Sequence, residues 1–343
     1  ERRGVPTALV ITAGFRDALA IGYQNRPELF RLRIDLPQPL YREVIEADER
    51  LTAEGEVLRP LDEQRLAADL GRLRGSGIGS IAIVLMHGYR YPNHERRAAA
   101  MARQAGFDDV VASHESSPMI RLVSRGDTTV VDAYLTPLLA GYARRFRDGL
   151  GARFCDTPLQ FMQSNGGLVA PEAFRASNAV LSGPAGGLVG TARAAKALGR
   201  SRLIAFDMGG TSTDVALYDN GCPQRYETTI AGVRLQTPMM NIHTVAAGGG
   251  SVLHFEGGRL RVGPQSAGAN PGPACYRRGG PLTVTDLQVL LGRIRPEFFP
   301  AVFGPGRDLP LDERAVRQRF DELAVRVSAD TGMPTSADGL AAG

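Results

Sequence analysis

The sequence predicts an α/β chain of layered strands and helices. Three observations lead there. The run Ser80-Ile81-Ala82-Ile83-Val84-Leu85-Met86 is continuously apolar, the pattern of a strand covered on both faces in a parallel sheet. Strand-like and helix-like periodicities alternate along the N-terminal part, as layered α/β architectures require. Short glycine runs (Gly166-Gly167, Gly186-Gly187, Gly209-Gly210 and Gly248-Gly249-Gly250) punctuate the rest, where tight turns let a ligand approach the backbone.

The elements follow in order. Residues 5–12 are β-branched and predict a strand, and Phe15 to Ile21 a short helix. Residues 27–45 are Pro-rich and extended, with strand alternation from Leu40 to Ile45. Leu66, Leu70 and Leu73 fall at helical spacing within 62–74, with Asp62 as N-cap. After the buried strand at 80–86, a helix is expected at His94 to Gln104 and a strand at Asp109 to Ser113. A long helix covers Ser124 to Leu150, with a break expected near Pro137. Leu159 to Gln163 reads as a strand ending in Ser164-Asn165-Gly166-Gly167, and a helix runs from Ser182 through Leu198. Strands at Leu203 to Phe206 and Val215 to Tyr218 flank a turn, and Asn220-Gly221 signals a hairpin. A β-rich stretch reaches Val262, a Gly/Pro-rich segment covers 263–281, and Asp312 to Ala329 is helical.

With 343 residues, 43% of them hydrophobic, the chain is long enough for two domains with a sizeable core. The expected division is 1–117 and 118–343. The formal charge of +4 is small, and Arg144-Arg145-Phe146-Arg147 reads as a solvated helix face, so nucleic acid is not an expected partner. Cys155, Cys222 and Cys275 are far apart and form no CxxC, which fits a reducing cytoplasm better than a disulfide framework. No run reaches the about 18 apolar residues of a membrane helix, so no membrane association is expected. The chain starts without Met and ends in what reads as an unfinished helix; a fragment of a longer polypeptide is expected.

The chemistry-bearing stretch is Phe206-Asp207-Met208-Gly209-Gly210-Thr211-Ser212-Thr213-Asp214, inside a predicted hairpin at 206–218. An apolar strand ends in Asp, two glycines open a tight turn, hydroxyls follow, and a second Asp starts the next strand. Phosphate binds concave backbone N–H groups where no Cβ intrudes. Carboxylates beside it hold Mg²⁺ through water. A plain hairpin is the competing reading, but a double Asp and a Thr-rich turn suit one poorly.

This turn resembles the second phosphate motif of the actin–Hsp70–sugar kinase superfamily, a two-lobed ATPase fold. Ser182-Gly183-Pro184-Ala185-Gly186-Gly187-Leu188-Val189-Gly190 stands where that superfamily has its interlobe helix. His243-Thr244-Val245-Ala246-Ala247-Gly248-Gly249-Gly250-Ser251 looks like a further nucleotide-contacting loop. More closely, the chain resembles the hydantoinase A/5-oxoprolinase family. The resemblance rests on Thr12-Ala13-Gly14-Phe15-Arg16-Asp17, Gln24-Asn25-Arg26-Pro27, Asp132-Ala133-Tyr134-Leu135-Thr136-Pro137, Met162-Gln163-Ser164-Asn165-Gly166-Gly167, the run from Val262 to Tyr276, and Thr283-Val284-Thr285-Asp286. Asn241 to Gly248 and Phe303-Gly304-Pro305 lean toward the 5-oxoprolinase branch; the hydantoinase branch more often has Gly where Ala247 stands. The family's first Asp-x-Gly-Gly-Thr motif is absent and would lie upstream of Glu1, and its C-terminal continuation is missing, so the expected fold is incomplete here. Leu287-Gln288 also departs from the small residue and Asn that relatives often carry after Asp286.

The resemblance implies ATP-dependent ring opening of a lactam or cyclic imide, foremost 5-oxo-L-proline to L-glutamate, with ATP, Mg²⁺ and a K⁺ or Mn²⁺ option as cofactors. It also implies a hydantoinase B-type subunit or domain and a homo- or hetero-oligomer. An N-methylhydantoinase A subunit or an ATP-dependent ketone carboxylase subunit shares the ATP step. A non-catalytic Hsp70-like switch is the alternative from another class, opposed by the 263–281 loop and the lack of a peptide-binding domain. Asp207 and Asp214 are the expected catalytic and water-mediated metal carboxylates. The N–H groups of Gly209, Gly210 and Thr211, with the Thr211 and Thr213 hydroxyls, are expected on phosphate. Gly248, Gly249, Gly250 and Ser251 are expected on the β-phosphate or ribose. Ser164, Asn165, Gly166, Gly183, His243 and Asp286 are candidates for substrate or interlobe contacts. Cys275 is weighed as a nucleophile, which needs a depressed pKa. His87, His94 and His114 show no ligand spacing and read as structural.

Overall fold

A computed structural model of the chain describes residues 3–24, 30–33, 38–151, 154, 157–230 and 232–342. Asn25-Arg26-Pro27, Cys155 and part of the Pro-rich stretch at 27–45 lie outside these residues. The chain divides into two compact units: Glu1–Val189 with Cys222–Asn241, and Gly190–Gly221 with Ile242–Gly343.

The first unit is built on a parallel sheet. Its strands are β1 (Thr7–Thr12), β2 (Glu43–Ala47), β5 (Ser80–Val84) and β6 (Asp109–Ala112), in the order β2-β1-β5-β6. Between them lie α1 (Ala18–Ile21), the small ribbon of β3 (Arg50–Leu51) and β4 (Val57–Arg59), α2 (Glu63–Arg74) and α3 (Asn93–Gln104). Asp62 caps α2 as expected, its carboxylate accepting from the Arg65 N–H. Alternate residues of β1 and β5 enter opposite cores. Ala8, Val10, Ile81 and Ile83 meet Leu66, Leu70 and Ala98 of α2 and α3. Leu9, Ile11, Ala82 and Val84 meet Leu19, Val130 and Ala133. Burial on both faces is why the 80–86 run is apolar without alternation.

After α4 (Ser113–Ser116), the long helix α5 (Leu122–Gly149) carries Val130 and Ala133 into that second core. α5 packs on the N-terminal sheet, so the compact unit built on that sheet runs past residue 117. No break occurs at Pro137, which lies inside α5. β7 (Phe161–Met162) and β8 (Leu168–Val169) form a two-stranded ribbon, followed by α6 (Ser182–Ala197), along which the first unit ends at Val189. β11 (Gln224–Ile230) and β12 (Val233–Met240) pair with each other, and β12 packs Leu235 and Met239 against Val131 of α5.

Asp127 of α5 forms an ion pair with Arg234 of β12, Oδ2 to Nε at 2.7 Å. Burial nevertheless raises the Asp127 pKa to about 6, with Arg234 opposing the shift. In this range the folded chain holds the proton more tightly than the unfolded chain does. Asp127 therefore stabilises most below its unfolded pKa, and that contribution is lost as pH rises through about 6. Unfolding measured from about pH 4 to pH 7 is expected to show a loss of about 3 kcal/mol from this group. Asp127→Asn is expected to flatten that part of the curve. An identical slope in the variant refutes the assignment.

The second unit holds an antiparallel sheet of β9 (Arg202–Met208), β10 (Thr213–Asp219) and β13 (Ile242–Val245), ordered β13-β10-β9. Asn220-Gly221 turns the chain, but not into a hairpin, because β11 pairs with β12 and not with β10. β14 (Ser251–Glu256) and β15 (Arg259–Ser266) form a ribbon. α7 (Val284–Leu290), α8 (Glu313–Thr331) and α9 (Ala337–Ala342) complete the unit around Cys275, Leu282, Val289, Phe320 and Leu323.

Candidate functional site

The expected phosphate turn is the connection between β9 and β10. Antiparallel register sets Asp207 directly opposite Asp214, and Asp214 opposite Thr244 of β13. Directly paired residues share a sheet face, so the two carboxylates stand side by side. Thr244 Oγ1 donates to Asp214 Oδ1 at 2.6 Å and fixes that carboxylate. Asp207 is exposed. At the tip, the Gly209 N–H donates to the Ser212 carbonyl at 2.8 Å and closes the turn. Among the described residues no partner is shown for the Gly210 and Thr211 N–H groups.

The second glycine run lies directly on this turn. Gly249 N donates to Gly209 O at 2.9 Å, and Gly250 N to Gly210 O at 2.6 Å. A Cβ on Gly248 would come 2.7 Å from the Gly209 oxygen, so only glycine allows backbone to pack on backbone here. Thr285 continues the stack, its N–H donating to Gly249 O at 2.7 Å and its Oγ1 to the same oxygen at 2.9 Å.

Several sequence expectations are corrected by this geometry. The Gly209 N–H is used inside the turn and is not available to phosphate. The Thr213 hydroxyl is buried and donates to the Ala247 carbonyl at 2.5 Å. All four N–H groups of Gly248 to Ser251 have protein acceptors: Ser251 Oγ, Gly209 O, Gly210 O and Gly248 O respectively. This run braces the turn and offers a ligand no N–H donor. His243 pairs with Val215 in register and so falls on the sheet face opposite the carboxylates.

Asp286 is fully buried and faces no ligand. Its Oδ2 accepts from the N–H groups of Ala274 (3.0 Å) and Thr283 (2.8 Å), and its Oδ1 from Cys275 N (2.8 Å). It therefore pins the Gly/Pro segment onto the start of α7. Cys275 is buried beside it, and burial followed by the Asp286 charge drives its thiol pKa well above the ordinary range. A protonated, enclosed thiol is no nucleophile.

Ser164, Asn165, Gly166 and Gly183 belong to the first unit. Ser164 is buried, with Oγ donating to Asn178 O at 2.8 Å and accepting from Leu181 N at 3.0 Å, which makes it a fastening of the chain and corrects its reading as a substrate contact. Asn165 Oδ1 accepts from Gly167 N, and Gly166 adopts φ +83° where a Cβ would strike Met240. Gly183 lies exposed in the first turn of α6.

The sequence reading missed Thr244 and Thr285. Each is recognisable only once pairing sets it against Asp214 or Gly249. It also passed over a polar network in the first unit, where Glu49 holds His94 and Glu95 holds His114.

Residues 125–342 match the family described as Hydantoinase/oxoprolinase, and residues 1–106 match the Hydantoinase/oxoprolinase N-terminal region. The chain belongs to the hydantoinase/oxoprolinase family. It is 46% identical to 5-oxoprolinase 1 of Arabidopsis thaliana over 352 residues, covering 96% of this chain but 28% of that relative. Among solved structures it resembles the ATP-dependent caprolactamase from Pseudomonas jessenii, at TM-score 0.72 and 33% identity over 99% of this chain and 49% of the other. A nucleotide-free acetone carboxylase shares the fold at TM-score 0.78 and 24% identity, again over 49% of its chain. The α/β, ATPase-type fold expected from sequence is thus that of this hydantoinase/oxoprolinase chain. Its donor set fits a nucleotide phosphate with a hydrated divalent cation. Two unpartnered N–H groups lie at an exposed glycine tip, and two adjacent carboxylates stand on one sheet face. Among the described residues no cluster of His, Cys, Asp or Glu forms a direct metal cage, and no helix is long and apolar enough to cross a membrane.

Proposed function

We propose that the chain is the ATP-handling part of a cyclic-amide hydrolase, most like 5-oxoprolinase, which opens 5-oxo-L-proline to L-glutamate as ATP becomes ADP and phosphate. The observation that carries this is the pairing of Asp207 with Asp214 beside an open glycine tip that a second glycine run braces. Identity to a named 5-oxoprolinase over 96% of the chain supports the choice of acceptor. A lactam resists water because its nitrogen lone pair is delocalised. Phosphorylating its carbonyl oxygen creates a leaving group, and the protein's task is to position phosphate and offset charge.

Gly210 and Thr211 N–H groups then receive phosphate oxygens, and the Thr211 hydroxyl adds a donor. Asp207 and Asp214 would hold a hydrated Mg²⁺, which would supply charge neutralisation on the phosphates. Thr244 keeps Asp214 aimed. Gly248 to Gly250 keep the tip from collapsing, since their N–H groups tie down its carbonyls. A hydantoinase B-type subunit or domain completes ring opening. A reducing, cytoplasmic setting agrees with the free cysteines Cys222 and Cys275.

The test uses the full-length parent protein and measures ADP release with 5-oxoproline, with hydantoins, and with a ketone plus bicarbonate. Stimulation by 5-oxoproline is expected, and stimulation by hydantoins alone overturns the choice of acceptor. Asp214→Ala is expected to lower the ATPase rate by on the order of 10²–10³. Full activity in that variant removes the phosphate-site assignment.

A further inference from the structure

The first unit contains a histidine arrangement that the phosphate turn does not use. Of the chain's five histidines, His87, His94 and His114 all lie past the C-terminal ends of the parallel strands. In open α/β sheets this rim is where ligands bind.

His94 and His114 differ in what holds them. His114 Nδ1 donates to Glu95 Oε2 at 2.7 Å, and its Nε2 lies 3.8 Å from Glu115, beyond hydrogen-bond reach. His94 Nδ1 is bound to Glu49 Oε2 at 2.8 Å, whereas its Nε2 has no partner among the described residues. The His94 side chain is 15% exposed and that of Glu49 is 0% exposed. Here a fully buried carboxylate, costly to desolvate, orients a ring whose other nitrogen is left for something outside.

The next residue fixes the proton. Thr12, last in β1, accepts at Oγ1 from Met86 N at 2.8 Å and therefore donates its hydroxyl proton to Glu49 Oε1. Glu49 is left as an acceptor toward His94, so the neutral ring carries its proton on Nδ1 and presents the Nε2 lone pair. His87, just beyond β5, takes φ 62°, a left-handed conformation uncommon outside glycine. Strain of this kind gathers at binding sites.

We propose that His94 Nε2 is the ligand-facing acceptor of a small-molecule site at this rim, taking the N–H of a cyclic amide, with Glu49 and Thr12 as positioning residues. The ligand class rests on the function proposed above; the direction of the proton does not. An amide N–H is a donor, and an imidazole held in this tautomer is its complement.

The test uses the full-length parent protein and 5-oxoproline. Diethyl pyrocarbonate modifies an unprotonated, solvent-reached imidazole nitrogen, and mass spectrometry locates the adduct. His94 is expected to react, and 5-oxoproline is expected to protect it at least tenfold. Glu49→Gln keeps the shape. Thr12 fixes the amide oxygen on its own side, so the new NH₂ faces Nδ1 and the proton moves to Nε2. Modification of His94 and affinity for 5-oxoproline are each expected to fall at least tenfold, with ATP affinity within twofold of the parent. His94→Phe is expected to lose 5-oxoproline affinity equally. An unreactive His94, or one left unprotected while 5-oxoproline still stimulates ADP release, overturns this site and leaves the proposed function standing. If no cyclic amide stimulates ADP release or protects His94, both fall.

Discussion

Asp286→Ala is expected to destabilise the second unit by on the order of 2–6 kcal/mol. The carboxylate is fully buried and accepts from the N–H groups of Ala274, Cys275 and Thr283, along with the Thr283 hydroxyl at 3.0 Å. Removing it leaves the Cys275 and Thr283 N–H groups buried without acceptors, each costing about 1–3 kcal/mol, while Ala274 N keeps the Pro281 carbonyl at 3.1 Å. That loss is comparable to the whole stability of many domains. Asp286→Asn is expected to do less damage but still to fail, because one amide oxygen cannot serve both sides and the NH₂ group would confront a donor. The measurement is denaturant unfolding combined with the reactivity of Cys275. In the parent chain this thiol is 0% exposed and kept protonated. In the variant, local opening is expected to make it reactive toward a thiol reagent under native conditions. Unchanged unfolding with a silent Cys275 means that the carboxylate does not hold this segment.

The second large effect is expected at Arg125. Its side chain is entirely buried, and burial lowers its pKa. Five donors are nearly all placed: Nε on Ser113 Oγ (2.8 Å), Nη1 on Met119 O (2.9 Å) and Ile120 O (3.1 Å), and Nη2 on Leu85 O (2.8 Å). Ser113 in turn donates to Glu95, which also accepts from Leu85 N, His114 N and His114 Nδ1. One guanidinium and one carboxylate thus tie the ends of β5 and β6 to α3 and α5. Arg125→Met is expected to cost about 3–5 kcal/mol, because it strands carbonyls and leaves the Glu95 charge uncompensated. Arg125→Lys is expected to recover little, since a single ammonium cannot span four acceptors. Adding Glu95→Gln to Arg125→Met is expected to cost less than the sum of the two single changes, a coupling that a double-mutant cycle measures. Strict additivity excludes the network.

The sequence by itself determined the α/β class, the buried strand at 80–86, the capped helix at 62–74 and the turn bearing Asp207 and Asp214. These are local signals. Periodicity, an N-cap and a glycine pair between apolar strands are all written in consecutive residues. The same holds for family membership, which short motifs along most of the chain carried. Tertiary structure decided which groups are free to act. Gly248 to Ser251 read as ligand donors, yet their N–H groups close on partners that include the carbonyls of Gly209 and Gly210, far away in sequence. Asp286 read as a ligand contact and is an internal acceptor. His243 read as a candidate for substrate or interlobe contact and falls on the sheet face opposite the carboxylates, because pleating alternates sides at every residue. His94 read as structural for want of ligand spacing, and its hydrogen-bonded neighbours Glu49 and Thr12 lie far from it in the chain. Only parallel strand pairing brings them to one rim. The physical reason is common to all four. A hydrogen-bonding group's role depends on whether a partner has already taken it, and that partner is chosen by pairing register and packing across the fold.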